Sequence, residues 1–393
     1  MRRELGQRGC SRRNPVTILT VMTFAAIHPI QIRAQQTLTA VKDLTIDATD
    51  NNLSVVREVL ASPSGTIAVF QPQDMLIRFF SATGASLGTF GRDGEGPGEF
   101  RSMGWAGWNG DTLHVEDSGI RRVTFIGPDR KLLRTVPEPV HILAPRAEPD
   151  GAPLLGGAAV VGVMADGTYL LDFFASGSVP AWFPGDAKEL SYSLVHVDHE
   201  GRFMRVAASL RDKEPWCSWG SPSIAVPLCS HFVTGDPFTP AMASVSIAHG
   251  SSHDTRYHLR VIGSIRGDTV IDRDYDYRAV PIPPRVVDSV RRQLVSRPGL
   301  SPPRKAAYRS VPFPRYFPPV VRMLVGMDTS VWLEEPATAP GVHRWRIVDS
   351  RGRVLGVTSV PGNVTLKDVR LDAAWGTETD ADGLQSVVRF RVR

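Results

Sequence analysis

The chain has 393 residues, enough for one large β domain or two ordinary ones. It carries 45 Lys and Arg against 40 Asp and Glu, a net +5. Six Arg and one Glu lie in residues 1–34, so residues 35–393 are neutral, which excludes a general nucleic-acid-binding role resting on phosphate neutralisation.

Residues 1–34 read as a secretory signal peptide. Arg2, Arg3, Arg8, Arg12 and Arg13 form a basic start, and Val16 to Ile27 is an apolar run too short to span a bilayer. Ile32-Arg33-Ala34 offers a cleavage site before Gln35. Cys10 precedes the apolar run and does not suit a lipid anchor. The expected product is a secreted or periplasmic domain over residues 35–393 with no transmembrane segment. Export would let Cys217 and Cys229 pair, worth about 3 kcal/mol on the chain-entropy model; the alternative is two buried thiols. A zinc site is disfavoured by the lack of CxxC and HExxH patterns.

From residue 37 onward, alternating apolar and polar positions, β-branched residues and Gly/Asp/Asn turns predict strands. The first unit runs Ser64–Phe70, Leu76–Phe80 and Ser86–Gly91, and the second Gly110–Gly119, Ile120–Ile126 and Lys131–Val136. Between them lies Gly91-Arg92-Asp93-Gly94-Glu95-Gly96-Pro97-Gly98-Glu99-Phe100, read as an inter-blade loop with a type II turn at Pro97-Gly98 and Phe100 as its apolar anchor. A phosphate cradle would need a helix next, and Arg101–Trp105 does not open one. A looser third unit spans Asp166–Leu171 and Ser193–Phe203. The fourth holds Ala243–Ile247, Tyr257–Ile262 and Thr269–Ile271, and the fifth Thr329–Glu334, Arg344–Asp349 and Val354–Val357. Residues 364–393 form the sixth, completed by a strand from residues 37–48. A repeat of roughly 40–50 residues marks a radial architecture. One helix is expected over Arg285–Leu294, with Val290 and Leu294 on one face, followed by a Pro-rich segment read as irregular.

Val115-Glu116-Asp117-Ser118-Gly119-Ile120-Arg121-Arg122-Val123-Thr124-Phe125 resembles the repeat of NHL propellers, and Gly94–Phe100 looks like their inter-blade loop. Pro314–Pro319, Val331-Trp332-Leu333 and the Trp345–Gly356 hairpin look like secreted bacterial six-bladed propellers of the NHL-like and TolB-like type. The resemblance implies a fold. It does not imply a reaction, because that superfamily hosts binding scaffolds, lyases and lactonases.

Several residues are candidates for chemistry. Asp93, Glu95 and Glu99 should stand on the rim where inter-blade loops gather. Asp117 is either a polar group at the channel mouth or a turn-former pairing with Arg121 or Arg122, and its repeat context favours the turn. Asp272, Asp274 and Asp276 share one strand face and could bind Ca²⁺, but the EF-hand glycine and later Glu are missing, so a solvated face balanced by Arg273 and Arg278 is favoured. His249, His253 and His258 could ligate a metal, and their Gly/Ser-rich setting favours a surface loop. No GxSxG elbow appears. Residues 285–322 hold nine Lys and Arg, among them Arg291 and Arg292, against Asp288 alone. That stretch is either a patch for an anionic partner or an insert held by local carboxylates.

The resulting expectation is an all-β, six-bladed β-propeller with a short helical, Pro/Arg-rich insert between blades four and five. It would act as a monomeric, non-catalytic scaffold for a protein, carbohydrate or other anionic ligand, with no cofactor. The alternative is a metal-dependent hydrolase or lyase holding Ca²⁺ or Zn²⁺ in the central channel through residues such as His253, His258, Asp272 and Asp274.

Overall fold

The computed structural model describes residues 36–138, 157–164, 166–174, 193–209, 218–219, 224–225, 232–234, 242–247, 256–262, 269–336 and 341–393. The signal segment, Cys217, Cys229, His249 and His253 lie outside the described residues.

Strand β1 (Ala40–Ile46) comes first in the chain. The first sheet then holds β2 (Glu58–Ala61), β3 (Ile67–Gln71), β4 (Leu76–Phe80) and β5 (Ser86–Phe90). The second holds β6 (Met103–Asn109), β7 (Thr112–Asp117), β8 (Arg122–Ile126) and β9 (Leu132–Pro137). The third holds β10 (Gly157–Val163), β11 (Tyr169–Phe174), β12 (Ser193–Val197) and β13 (Phe203–Ser209). A ribbon of β14 (Ser218–Trp219) and β15 (Ile224–Ala225) follows. The fourth sheet holds β16 (Phe232–Thr234), β17 (Met242–Ile247), β18 (Arg256–Ile262) and β19 (Thr269–Asp276).

Two helices come next in the chain, α1 (Pro284–Val295) and α2 (Pro302–Ser310). The fifth sheet holds β20 (Arg322–Val325), β21 (Val331–Glu335), β22 (Val342–Val348) and β23 (Val354–Pro361). The last holds β24 (Val364–Arg370), β25 (Ala373–Thr379) and β26 (Gln385–Val392), with β1 antiparallel to β26 on its outer edge.

Six sheets of four antiparallel strands are therefore present among the described residues, in a β-propeller arrangement. A ring of five blades is counted, one fewer than the sequence predicts. The connection from the third sheet to the fourth runs largely outside the described residues. Elsewhere the first strands of neighbouring sheets lie against one another: β2 on β6, β6 on β10, β16 on β20, β20 on β24, and β24 back on β2.

Apolar side chains on both faces of the first, fifth and last sheets hold the ring. Phe70, Ile77 and Phe79 of the first sheet pack on Met103, Trp108 and Leu113 of the second. Val59, Ile67 and Phe80 use the other face against Trp375 and Val387 of the last. Trp332, Trp345 and Leu324 meet Leu366, Val388 and Phe390 between the fifth and the last. Burial on both faces leaves strands such as β2 and β3 with no exposed position, so their apolar runs do not alternate.

Polar clamps join the first strands. Arg57 donates to the carbonyls of Met103 and Gly104, each at 2.5 Å, and Arg322 reaches that of Leu366. At the closure, Asp368 accepts from the Ala61 amide at 2.7 Å and Arg370 donates to the Ala61 carbonyl at 2.8 Å.

Two of the prolines expected to keep residues 302–319 irregular instead open α2, while residues 311–319 are irregular as expected. Pro302 and Pro303 fall in the first turn, where a missing N–H breaks no helical bond. Among the described residues no helix is long and apolar enough to cross a membrane.

Candidate functional site

Strands alternate in direction within each sheet, so every connection from a last strand to the next first strand leaves from one end of the ring. The Gly91–Phe100 loop, between β5 and β6, and the helical insert, between β19 and β20, are two such connections.

The loop is closed on itself. Glu99 N–H donates to the Gly96 carbonyl at 3.1 Å and Gly98 has φ +79°, the geometry of a type II turn at Pro97-Gly98. Phe100 is fully buried and meets Phe90 edge-on at 6.1 Å. A Cβ on Gly91 would stand 2.6 Å from the Met75 carbonyl oxygen, which explains a glycine there. The acids expected on an open rim are paired locally. Arg92 binds Glu99 at 2.6 Å, and Arg101 reaches Asp93 and Glu95, each at 3.3 Å. Arg122 donates to the carbonyls of Glu95 at 2.8 Å and Gly96 at 2.9 Å. Glu99 also accepts from the Gly96 amide at 2.8 Å, and this bond and the Arg92 guanidinium hold its carboxyl below the usual range. A carboxylate of the chain itself thus occupies the place an anion would take.

Asp117 is a turn-former with partners other than Arg121 or Arg122. It is fully buried and accepts from the amides of Ser102 at 3.0 Å, Arg101 at 2.9 Å and Gly119 at 3.0 Å. Arg121 pairs instead with Glu138 at 3.5 Å.

Two buried groups beside it carry no signal in the sequence. Glu116 tucks beneath Gly104, where a Cβ would collide with its carboxylate, and accepts from Trp105 N–H at 3.1 Å. Burial, with Glu138 and Asp117 adding repulsion, pushes its carboxyl up to about 7. His114, on the same face of β7, is fully buried between Trp105 and Phe125, with ring centroids at 4.7 and 6.4 Å. Among the described residues neither ring nitrogen has a partner, and burial lowers its pKa to about 3, so the ring is neutral.

Asp272, Asp274 and Asp276 do share one face of β19, but Arg273 is on the other, donating to the Gly352 carbonyl at 2.9 Å. The charge is balanced from β18. His258 bonds Asp274 through Nδ1 at 2.8 Å and Asp272 through Nε2, Arg260 reaches Asp272 at 3.3 Å, and Arg256 reaches Asp276 at 3.1 Å. Both imidazole nitrogens are therefore engaged by carboxylates. No group of three or more His, Cys, Asp or Glu among the described residues is arranged to hold a metal ion.

The helical insert differs from all of these. Leu294 of α1 is buried, and Ala307 of α2 packs with Val311, Tyr308 and Phe313 in a small apolar cluster. Between the helices lies a groove of about 760 Å³, lined from α1 by Asp288, Ser289, Arg291, Arg292 and Gln293 and from α2 by Lys305 and Arg309. Arg292, Lys305 and Arg309 are exposed, and none has a carboxylate within ion-pair distance among the described residues. Arg291 is half-buried over the Phe313 ring.

No protein-family model matches the chain, and no curated protein matches it. Solved structures similar to it include a protein from Bacteroides fragilis whose name describes it as exported, 12% identical over 92% of this chain and 97% of that one, with a TM-score of 0.45. A DUF4221 family member from Bacteroides vulgatus is 9% identical over 92% and 97%, with a TM-score of 0.44. Virginiamycin B lyase from Staphylococcus aureus is 8% identical over 90% and 99%, with a TM-score of 0.39. Likenesses at this level carry no argument about activity.

Proposed function

We propose that the chain is an exported, six-bladed β-propeller that acts as a monomeric, non-catalytic binding scaffold, with an anionic ligand docking on the helical insert between blades four and five. One observation carries this reading: Arg292, Lys305 and Arg309 line a groove and have no carboxylate partner among the described residues, whereas the other candidate charges are locally paired. Unpaired cations around a concavity raise the local concentration of anions. The six-blade reading draws on the six four-stranded sheets and on β1 closing the last of them. Export draws on residues 1–34, and it carries with it the Cys217–Cys229 disulfide.

The experiment is chromatography of residues 35–393 on a sulfopropyl resin. Retention should fall with salt, since exposed pairs are screened over about 8–10 Å at physiological ionic strength. Replacing Arg292, Lys305 and Arg309 with Ala should bring elution forward markedly. Unchanged retention would remove the insert as the docking face.

A further inference from the structure

Resting on that reading, we infer that the groove between α1 and α2 takes an acidic oligosaccharide, a chain in which carboxylates are spaced by hydroxyl-bearing sugar carbons. Three features of the lining select this class. The volume of about 760 Å³ lies within the range of small-ligand sites and suits a few sugar residues. The cations stand on opposing walls, Arg292 on α1 and Lys305 and Arg309 on α2, so a carboxylate in the groove is approached from both sides. Guanidinium groups bind carboxylates through two parallel N–H bonds, a geometry that phosphate shares, so the choice between the two anions rests on the rest of the lining.

The third feature is the polar remainder of the lining. Asp288 lies on the α1 wall beside Ser289 and Gln293, exposed and with no ion-pair partner among the described residues. A carboxylate accepts hydrogen bonds from hydroxyls and repels anions. Asp288 therefore penalises a densely charged polyanion, whose oxygens would meet it, and favours a ligand that presents a hydroxyl there. Amide and hydroxyl side chains next to it supply both donors and acceptors for the sugar ring. Anion-binding and hydroxyl-binding groups thus line one groove.

The test is titration calorimetry of residues 35–393 with three probes: tetragalacturonate, its full methyl ester and inorganic tripolyphosphate. The acid form should bind, weakening about tenfold or more in the Arg292→Ala, Arg309→Ala double variant. The ester, with the same hydroxyls and no charge, should bind at least about tenfold more weakly. Asp288→Asn should strengthen tripolyphosphate and weaken tetragalacturonate. Both arginines are exposed, so the double variant should melt as the parent does, and the ester arm needs no variant at all. If tripolyphosphate binds the parent as tightly as tetragalacturonate, the sugar assignment is overturned while anion docking stands. If neither anion binds, both fail.

Discussion

The guanidinium of Arg291 lies over the ring of Phe313, 5.0 Å from its centroid, and donates to the Val311 carbonyl at 3.3 Å. Arg292, the next residue, points its charge into water. Two residues equivalent in sequence thus divide into a packing residue and a free cation. Arg291→Ala should loosen the α1–α2 contact by about 1 kcal/mol, seen as faster hydrogen exchange in α2. Arg292→Ala should change stability by less than about 0.5 kcal/mol. The reverse ranking would contradict the division.

Glu99 makes the inter-blade loop sensitive to acid. Its carboxyl sits below the ordinary value of 4.5, so its support is present above that value and is lost as the pH falls through the lowered one. Protection of the Gly96 amide, measured against its intrinsic exchange rate at each pH, should fall on acidification in the parent chain. In Glu99→Gln that protection should be low throughout and flat with pH.

Glu116 acts with the opposite sign. Its carboxyl rises from 4.5 to about 7 on folding, so the folded state holds a proton that the unfolded chain releases. That stability is fully present below 4.5 and declines as the pH rises towards and through 7. Glu116→Gln keeps an acceptor for the Trp105 amide and carries no charge. At pH 8 it should exceed the parent by on the order of 2 kcal/mol, allowing for partial solvent screening, and the two should converge near pH 4. Melting curves at the two pH values decide it; equal gaps would refute the assignment.

Ring closure rests partly on Asp368, whose carboxylate accepts from the buried Ala61 amide 307 residues away. Asp368→Ala leaves that amide without its acceptor and should cost about 1–3 kcal/mol in urea unfolding. No measurable cost would mean that apolar packing between the first and last sheets suffices.

Much of the propeller was legible because its second, third and fourth strands are separated by Gly/Asp turns. Between the predicted strands Arg344–Asp349 and Val354–Val357, Asp349 accepts the turn amide of Arg351 in the structure. The first strand of each of the first five sheets was missed, whereas that of the last, Val364–Arg370, falls where the sixth unit was expected to begin. Glu58–Ala61 and Arg322–Val325 have four residues each and almost no exposed position, so they show neither alternation nor length. The second helix was hidden by Pro302 and Pro303, which read as breakers until their place in the first turn is known. Acidic side chains at the rim were visible, but their pairing depends on Arg92 and Arg101, whose reach is set by the fold of the loop. Glu116 and His114 look like ordinary strand residues, and only burial distinguishes them.

Hydrogen exchange of residues 35–393 with and without tetragalacturonate tests most directly whether the helical insert is the docking face. Protection should appear in residues 284–310, vanish in high salt and be absent from the Arg292→Ala, Lys305→Ala, Arg309→Ala variant. Protection confined to the Gly91–Phe100 loop or to the first strands around the ring axis would contradict the account.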